Sequence, residues 1–294
     1  MYYDLFKAEK MEPVEPVFKI LDEYIDKFNN APFSQTGIFK NPRDKEHYET
    51  IFMYSFRKYR AAVYHYNHVS KFLKDHEEFA QTTSSRDIGK DGAYTVNLSY
   101  TADHYAFELS AFLESLKSSI DFLASSCSFH LPGIKCRSIS TLMKLVKDED
   151  KRGPIFDEVR ENLEWLEGLR TYRHHFVHYR MNSTSCGYER QVINGVQKII
   201  IYPVIIPESP PPYIPDTREN RAVEKSPFLK YSGGYIKIKN DNGGDNSLLK
   251  FYPPPGYVAI EDFMELYLNL YEKFFTELIH ALSDLDFKNS PLSK

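Results

Sequence analysis

Leu169-Arg-Thr-Tyr-Arg-His-His-Phe-Val-His-Tyr-Arg180 closes a strongly patterned helical run, and Met181-Asn-Ser-Thr-Ser-Cys-Gly187 stops it. Upstream, Phe156, Val159, Leu163, Leu166 and Leu169 recur every three or four residues. That is the spacing of one buried helix stripe. The pattern predicts a single helix over about 155–180, with Pro154 in its first turn, where a missing N–H costs nothing. Arg170, Arg173, His174, His175, His178 and Arg180 crowd its last turns. Cations there meet the negative end of the helix dipole, which is reason enough for basic residues at this place.

Working outward, the same period appears in longer stretches. Residues 15–30 predict a short amphipathic helix, and 32–41 a loop. A long helix is expected over about 42–79, on the stripe Ile51, Phe52, Phe56, Tyr59, Val63, Tyr66 and Phe72. Residues 80–97 are polar and read as an exposed loop. A second long helix over about 102–128 carries Leu109, Phe112, Leu113, Leu116, Ile120 and Leu123. A shorter one follows around 138–147. The last, over about 260–285, carries Phe263, Tyr267, Leu270, Phe274, Leu278 and Leu282 on one face.

Between 188 and 253 the period changes. Arg190-Gln-Val-Ile-Asn-Gly-Val-Gln-Lys-Ile-Ile-Ile-Tyr202 reads as a hairpin, because Asn194-Gly195 suits the positive φ that a two-residue turn needs. Residues 207–215 form a proline-rich connector. Residues 235–239 and 247–252 predict a second hairpin, closed by Pro253-Pro-Pro-Gly256. The expected fold is therefore mainly α, an antiparallel helical bundle with a small antiparallel β element inserted before the C-terminal helix. Its parts are an N-terminal helix and loop (1–41), a bundle core (42–187), a β insertion with its connector (188–257) and a returning helix (258–294).

With 294 residues the chain can bury a large core. Its 22 Tyr and 21 Phe suit thick helix packing and do not by themselves mean base stacking. The formal net charge is −4, so any phosphate site must be a local basic pocket on a mildly acidic body. The N-terminal residues lack the apolar centre of a signal peptide, and no apolar run is long enough for a membrane helix. Three cysteines, Cys127, Cys136 and Cys186, show no CxxC spacing. A cytoplasmic protein with reduced thiols, and no membrane contact, is the expectation.

Arg173 and His178 are separated by four residues near one helix end. Together they suit a phosphodiester: the guanidinium can hold a phosphate in a fork, and the imidazole can move a proton at neutral pH. The surrounding Arg173-His-His-Phe-Val-His178 resembles the signature of the HEPN superfamily, an arginine and a histidine four to six residues apart. His174 fits the polar position after the arginine. Ser118-Ser-Ile-Asp-Phe-Leu-Ala124 is similar to the stretch on the partner helix of many members. The resemblance covers about residues 45–181, extends at most to the C-terminal helix, and leaves the β element outside. Glu108, Glu114 and Lys117 stand on the upstream helix, in no clear alignment with the acidic and basic pattern of the toxin members.

The resemblance implies metal-independent RNA cleavage ending in a 2′,3′-cyclic phosphate, with no cofactor. His178 would exchange the proton, Arg173 would hold the phosphate, and His174 would position the phosphate or His178. Asp121 would orient Arg173, although a carboxylate at such a place is more often a cap. Tyr179 and Arg170 would line the cleft. The family also implies a homodimer in which two Arg/His pairs share one cleft, with RNA as partner. Other members are non-catalytic binding or assembly modules. His174 and His178, four apart, could share a metal, but no cysteine or carboxylate stands at a telling spacing, so none is expected. His65 and His68 read as partly exposed helix residues. No phosphate-binding GxxxxGK[ST], GxGxxG, GxSxG or HExxH pattern is present.

Overall fold

The computed structural model describes residues 15–30, 39, 42–82, 93–97, 99–149, 151–178, 187–193, 196–202, 204–210, 236–237, 247–253 and 255–287, in whole or as backbone. Among these the protein is mainly helical. The helices are α1 (Glu15–Asn30), α2 (Pro42–Thr82), α3 (Ser99–Cys127), α4 (Ile139–Asp148), α5 (Pro154–Glu161), α6 (Leu163–His178) and α7 (Ile260–Phe287). None is long and apolar enough to cross a membrane, among the described residues. The chain divides into two compact units. One gathers residues up to Tyr64, Ser115–Leu166 and those from Leu268; the other gathers His65–Glu114 and Glu167–Tyr267.

In the first unit the core is built from the stripes that periodicity marks out. Phe52, Phe56 and Tyr59 of α2, Leu116, Ile120 and Leu123 of α3, and Phe274, Leu278 and Leu282 of α7 are all buried. Each large side chain of this kind contributes on the order of 2 kcal/mol on leaving water. The stripe also buries groups that apolar patterning misses. Ser55, Ser119 and Tyr271 are fully buried and bonded to one another, Ser119 Oγ to the Tyr271 hydroxyl at 2.6 Å. Cys127 and Cys136 are buried free thiols, and burial pushes the Cys127 thiol up, which makes it unreactive.

The single helix expected over 155–180 is two. Asn162 separates α5 from α6 because its side chain competes with the helix for backbone partners. Its Nδ2 donates to the Glu158 carbonyl at 2.9 Å, and its Oδ1 accepts from Trp165 Nε1 at 2.8 Å. Leu163, expected in the core, is only half-buried next to this break.

The second unit holds the β structure. Its strands are β1 (Ala93–Asn97), β2 (Gly187–Ile193), β3 (Val196–Tyr202), β4 (Ile205–Pro207), β5 (Ile236–Lys237), β6 (Ser247–Tyr252) and β7 (Tyr257–Ala259). β2 and β3 form the expected hairpin, with Ile193 opposite Val196, so only Asn194-Gly195 separates them; those two residues lie outside the described ones. β5 and β6 pair antiparallel, as the second hairpin requires. Two features go beyond the sequence reading. β1 lies where a loop was expected and pairs antiparallel with β2, and β3 joins β6 in a parallel pairing. A separate two-stranded antiparallel sheet, β4 with β7, leads directly into α7, and Ile260 N–H donates to the Val204 carbonyl at 2.9 Å.

Candidate functional site

α6 carries the candidate residues, and its neighbours in the second unit fix it. Tyr172 is fully buried, and its hydroxyl donates to the Pro207 carbonyl of β4 at 2.6 Å. Its ring meets Phe263 of α7 edge-on at 4.8 Å. Phe176, one turn on, is also buried, and its carbonyl accepts a long 3.5 Å bond from Ser110 Oγ of α3. These contacts set the rotation of α6 and leave Arg173 at the border of the core.

Arg173 Nε donates to Glu114 Oε2 of α3 at 2.6 Å. The side chains are 29% and 46% exposed, so water screens the pair and its contribution to stability is small, on the order of 0.5 kcal/mol. Its geometric effect is larger. The bond through Nε favours one orientation of the guanidinium and leaves its two terminal nitrogens outside it. Ser110 and Glu114 lie one turn apart on α3, as Phe176 and Arg173 do on α6, so two consecutive contacts stitch this crossing.

The other sequence-marked residues divide. His174 is buried, with its ring 5.9 Å from that of His175, which is also buried. His178 is the last residue of α6; its side chain and all of Tyr179 lie outside the described residues. Arg170 is exposed. Asp121 has another task than the orienting one expected. Its Oδ1 accepts the Ile139 N–H at 3.1 Å, supplying the cap that Ser138 does not give α4, and its Oδ2 bonds Lys117. The carboxylate that orients Arg173 is Glu114.

Glu108 of α3 is a second carboxylate of this unit with partners on another helix. Its carboxylate meets Nδ1 of His65 at 2.6 Å and Nδ1 of His68 at 3.2 Å. One carboxylate thereby holds two imidazoles of α2. The only signal in the sequence is that each of the three lies near the edge of its helix stripe, which marks many residues besides these.

No protein-family model, no curated protein and no solved structure matches this chain.

Proposed function

We propose that the protein is a HEPN-like, metal-independent endoribonuclease, or an RNA-binding relative, that acts in the cytoplasm as a homodimer. The observation that supports this reading is the bond between Arg173 and Glu114, because it favours one orientation of a guanidinium near the end of the helix that His178 completes. In this reading Arg173 holds a phosphate through its terminal nitrogens and stabilises the charge that grows on it. His178 takes the proton from a ribose 2′-hydroxyl or gives one to the leaving 5′-oxygen. The 2′-oxygen attacks phosphorus as its proton leaves, the bond to the 5′-oxygen breaks as that oxygen takes up a proton, and a 2′,3′-cyclic phosphate and a 5′-hydroxyl remain. Positions 173 and 178 are five residues apart, about 140° from each other round the helix axis. A second copy bringing its own pair to the cleft would ease that constraint.

The same bond favours a second reading, a non-catalytic module. A guanidinium already neutralised by a carboxylate is a weaker anion site than a bare one. Incubation of wild type, Arg173→Ala and His178→Ala proteins with mixed RNA in EDTA separates the two. Cleavage by wild type alone, with cyclic phosphate ends, is the result expected of the nuclease. Intact RNA with all three folded proteins selects the module.

A further inference from the structure

From Thr50 to Lys74, α2 holds five basic residues, Arg57, Lys58, Arg60, Lys71 and Lys74, and no acidic one. On a chain of net charge −4 this is a local reversal of sign. Within the first unit, the exposed positions of α2 between residues 53 and 64 are Met53, Tyr54, Arg57, Lys58, Arg60 and Tyr64. At about 100° per residue they cover one arc of roughly 160°. Every one is a base, an aromatic ring or a thioether. Such a face does not arise from solubility alone, because a helix that only faces water mixes both signs of charge.

Tyr54 organises the face. It is 46% exposed and stacks on Phe122 of α3, with ring centroids 5.5 Å apart and planes 27° apart. The guanidinium of Arg57 lies 5.8 Å from the centre of the Tyr54 ring. The acid beside Phe122 in sequence, Asp121, is occupied by Lys117 and the start of α4. The centre of a protein–protein interface is depleted of charge, whereas here bases alternate with rings. A flexible polyanion with planar bases matches both features, the rings by stacking and the bases by meeting phosphates.

We propose that this face of α2, together with Phe122, binds single-stranded RNA: a nucleobase displaces Arg57 from the Tyr54 ring and stacks there, and Arg57, with Lys58 and Arg60, holds the flanking phosphates. The inference rests on the ribonuclease reading for its choice of RNA, and adds where the strand is held. Its test is fluorescence anisotropy of the full chain with a short labelled 2′-O-methyl RNA, which cannot be cleaved by 2′-hydroxyl attack. Tyr54→Ala should raise Kd about 10-fold through the lost stacking, and Tyr54→Phe should bind like wild type. The triple variant Arg57→Gln, Lys58→Gln, Arg60→Gln should weaken binding and lower the slope of log Kd against log salt by about 2. Circular dichroism should show all of them folded, since the altered side chains are exposed. RNA affinity unchanged in both the Tyr54→Ala and triple variants overturns the inference, as does a wild type that does not bind. A dimer that dissociates in these variants at constant RNA affinity also overturns it, in favour of self-association. If the expected affinity pattern appears while unmodified RNA stays uncleaved, the inference stands and the nuclease reading fails.

Discussion

Arg173 of α6 and Glu114 of α3 meet through a single bond of 2.6 Å from the Nε edge of the guanidinium. Glu114→Gln keeps the size of that side chain and removes its charge. The expected loss of stability is below about 1 kcal/mol, because both side chains are partly exposed. If Arg173 acts on a phosphate, the same change should lower the cleavage rate about 10-fold by letting the guanidinium turn. Single-turnover cleavage beside urea unfolding distinguishes orientation from mere folding. An unchanged rate would remove Glu114 from the site.

His130 supplies a pH dependence. Burial lowers its pKa from 6.5 to about 4. Its Nε2 lies 2.9 Å from the Tyr48 hydroxyl, which in turn meets the Tyr24 hydroxyl at 2.6 Å. A neutral ring accepts from Tyr48; a protonated one cannot. Between these two pKa values the unfolded chain binds a proton that the folded chain refuses. Stability from this group is therefore complete above pH 6.5 and is lost as pH falls towards 4, by roughly 3 kcal/mol. Urea unfolding at a series of pH values should show the decline, and His130→Gln should flatten it. A slope unaltered by that substitution would assign the decline to other groups.

Gly168 marks a close approach within the second unit. A Cβ there would stand 2.8 Å from the Tyr267 hydroxyl oxygen. The Tyr267 ring is wedged against Phe263 at 4.7 Å and Tyr172 at 6.0 Å, so it cannot swing aside. Alanine normally gains about 1 kcal/mol over glycine inside a helix. Here Gly168→Ala should instead destabilise by about 1 kcal/mol, and Tyr267→Phe should recover most of that loss in the double variant. Additive effects in the urea midpoints would rule out the steric account.

Tyr271 tests the buried hydroxyl cluster of the first unit. Ser55 Oγ donates to the Ser119 carbonyl at 2.9 Å, and Ser119 Oγ to the Ser55 carbonyl at 2.7 Å. The Tyr271 hydroxyl is left to donate to Ser119 Oγ. Tyr271→Phe keeps the ring stacked on Tyr59, 4.7 Å away, and removes only that donor. The expected cost is about 1 kcal/mol, since both serines keep their backbone partners. A loss several times larger in thermal unfolding would mean that the hydroxyl sets the helix packing itself.

Much of the helical layout is legible in the sequence. The apolar stripe of α3 is buried at every position that periodicity marks, from Leu109 to Leu123. The ends of α7 at Ile260 and Phe287 fall within two residues of expectation. The candidate site is less legible. Arg173 could be found because its spacing to His178 is a local pattern, but Glu114 is 59 residues away and competes with other carboxylates on α3. Asp121 matched the expected stretch and is drawn instead to the open N–H of Ile139, a group whose position no local pattern gives.

By itself the sequence determined which segments become helices, where the Asn194-Gly195 hairpin turns, and that Arg173 lies near a helix end. These follow from neighbouring residues, through side-chain period, turn chemistry and chain stops. Only the tertiary structure decided the parallel joining of β3 to β6, and the pairing of Glu114 with Arg173 and of Glu108 with His65 and His68. Each of these depends on which distant group arrives first within hydrogen-bond reach. That is fixed by how the buried faces pack, and the local period of the chain does not encode it.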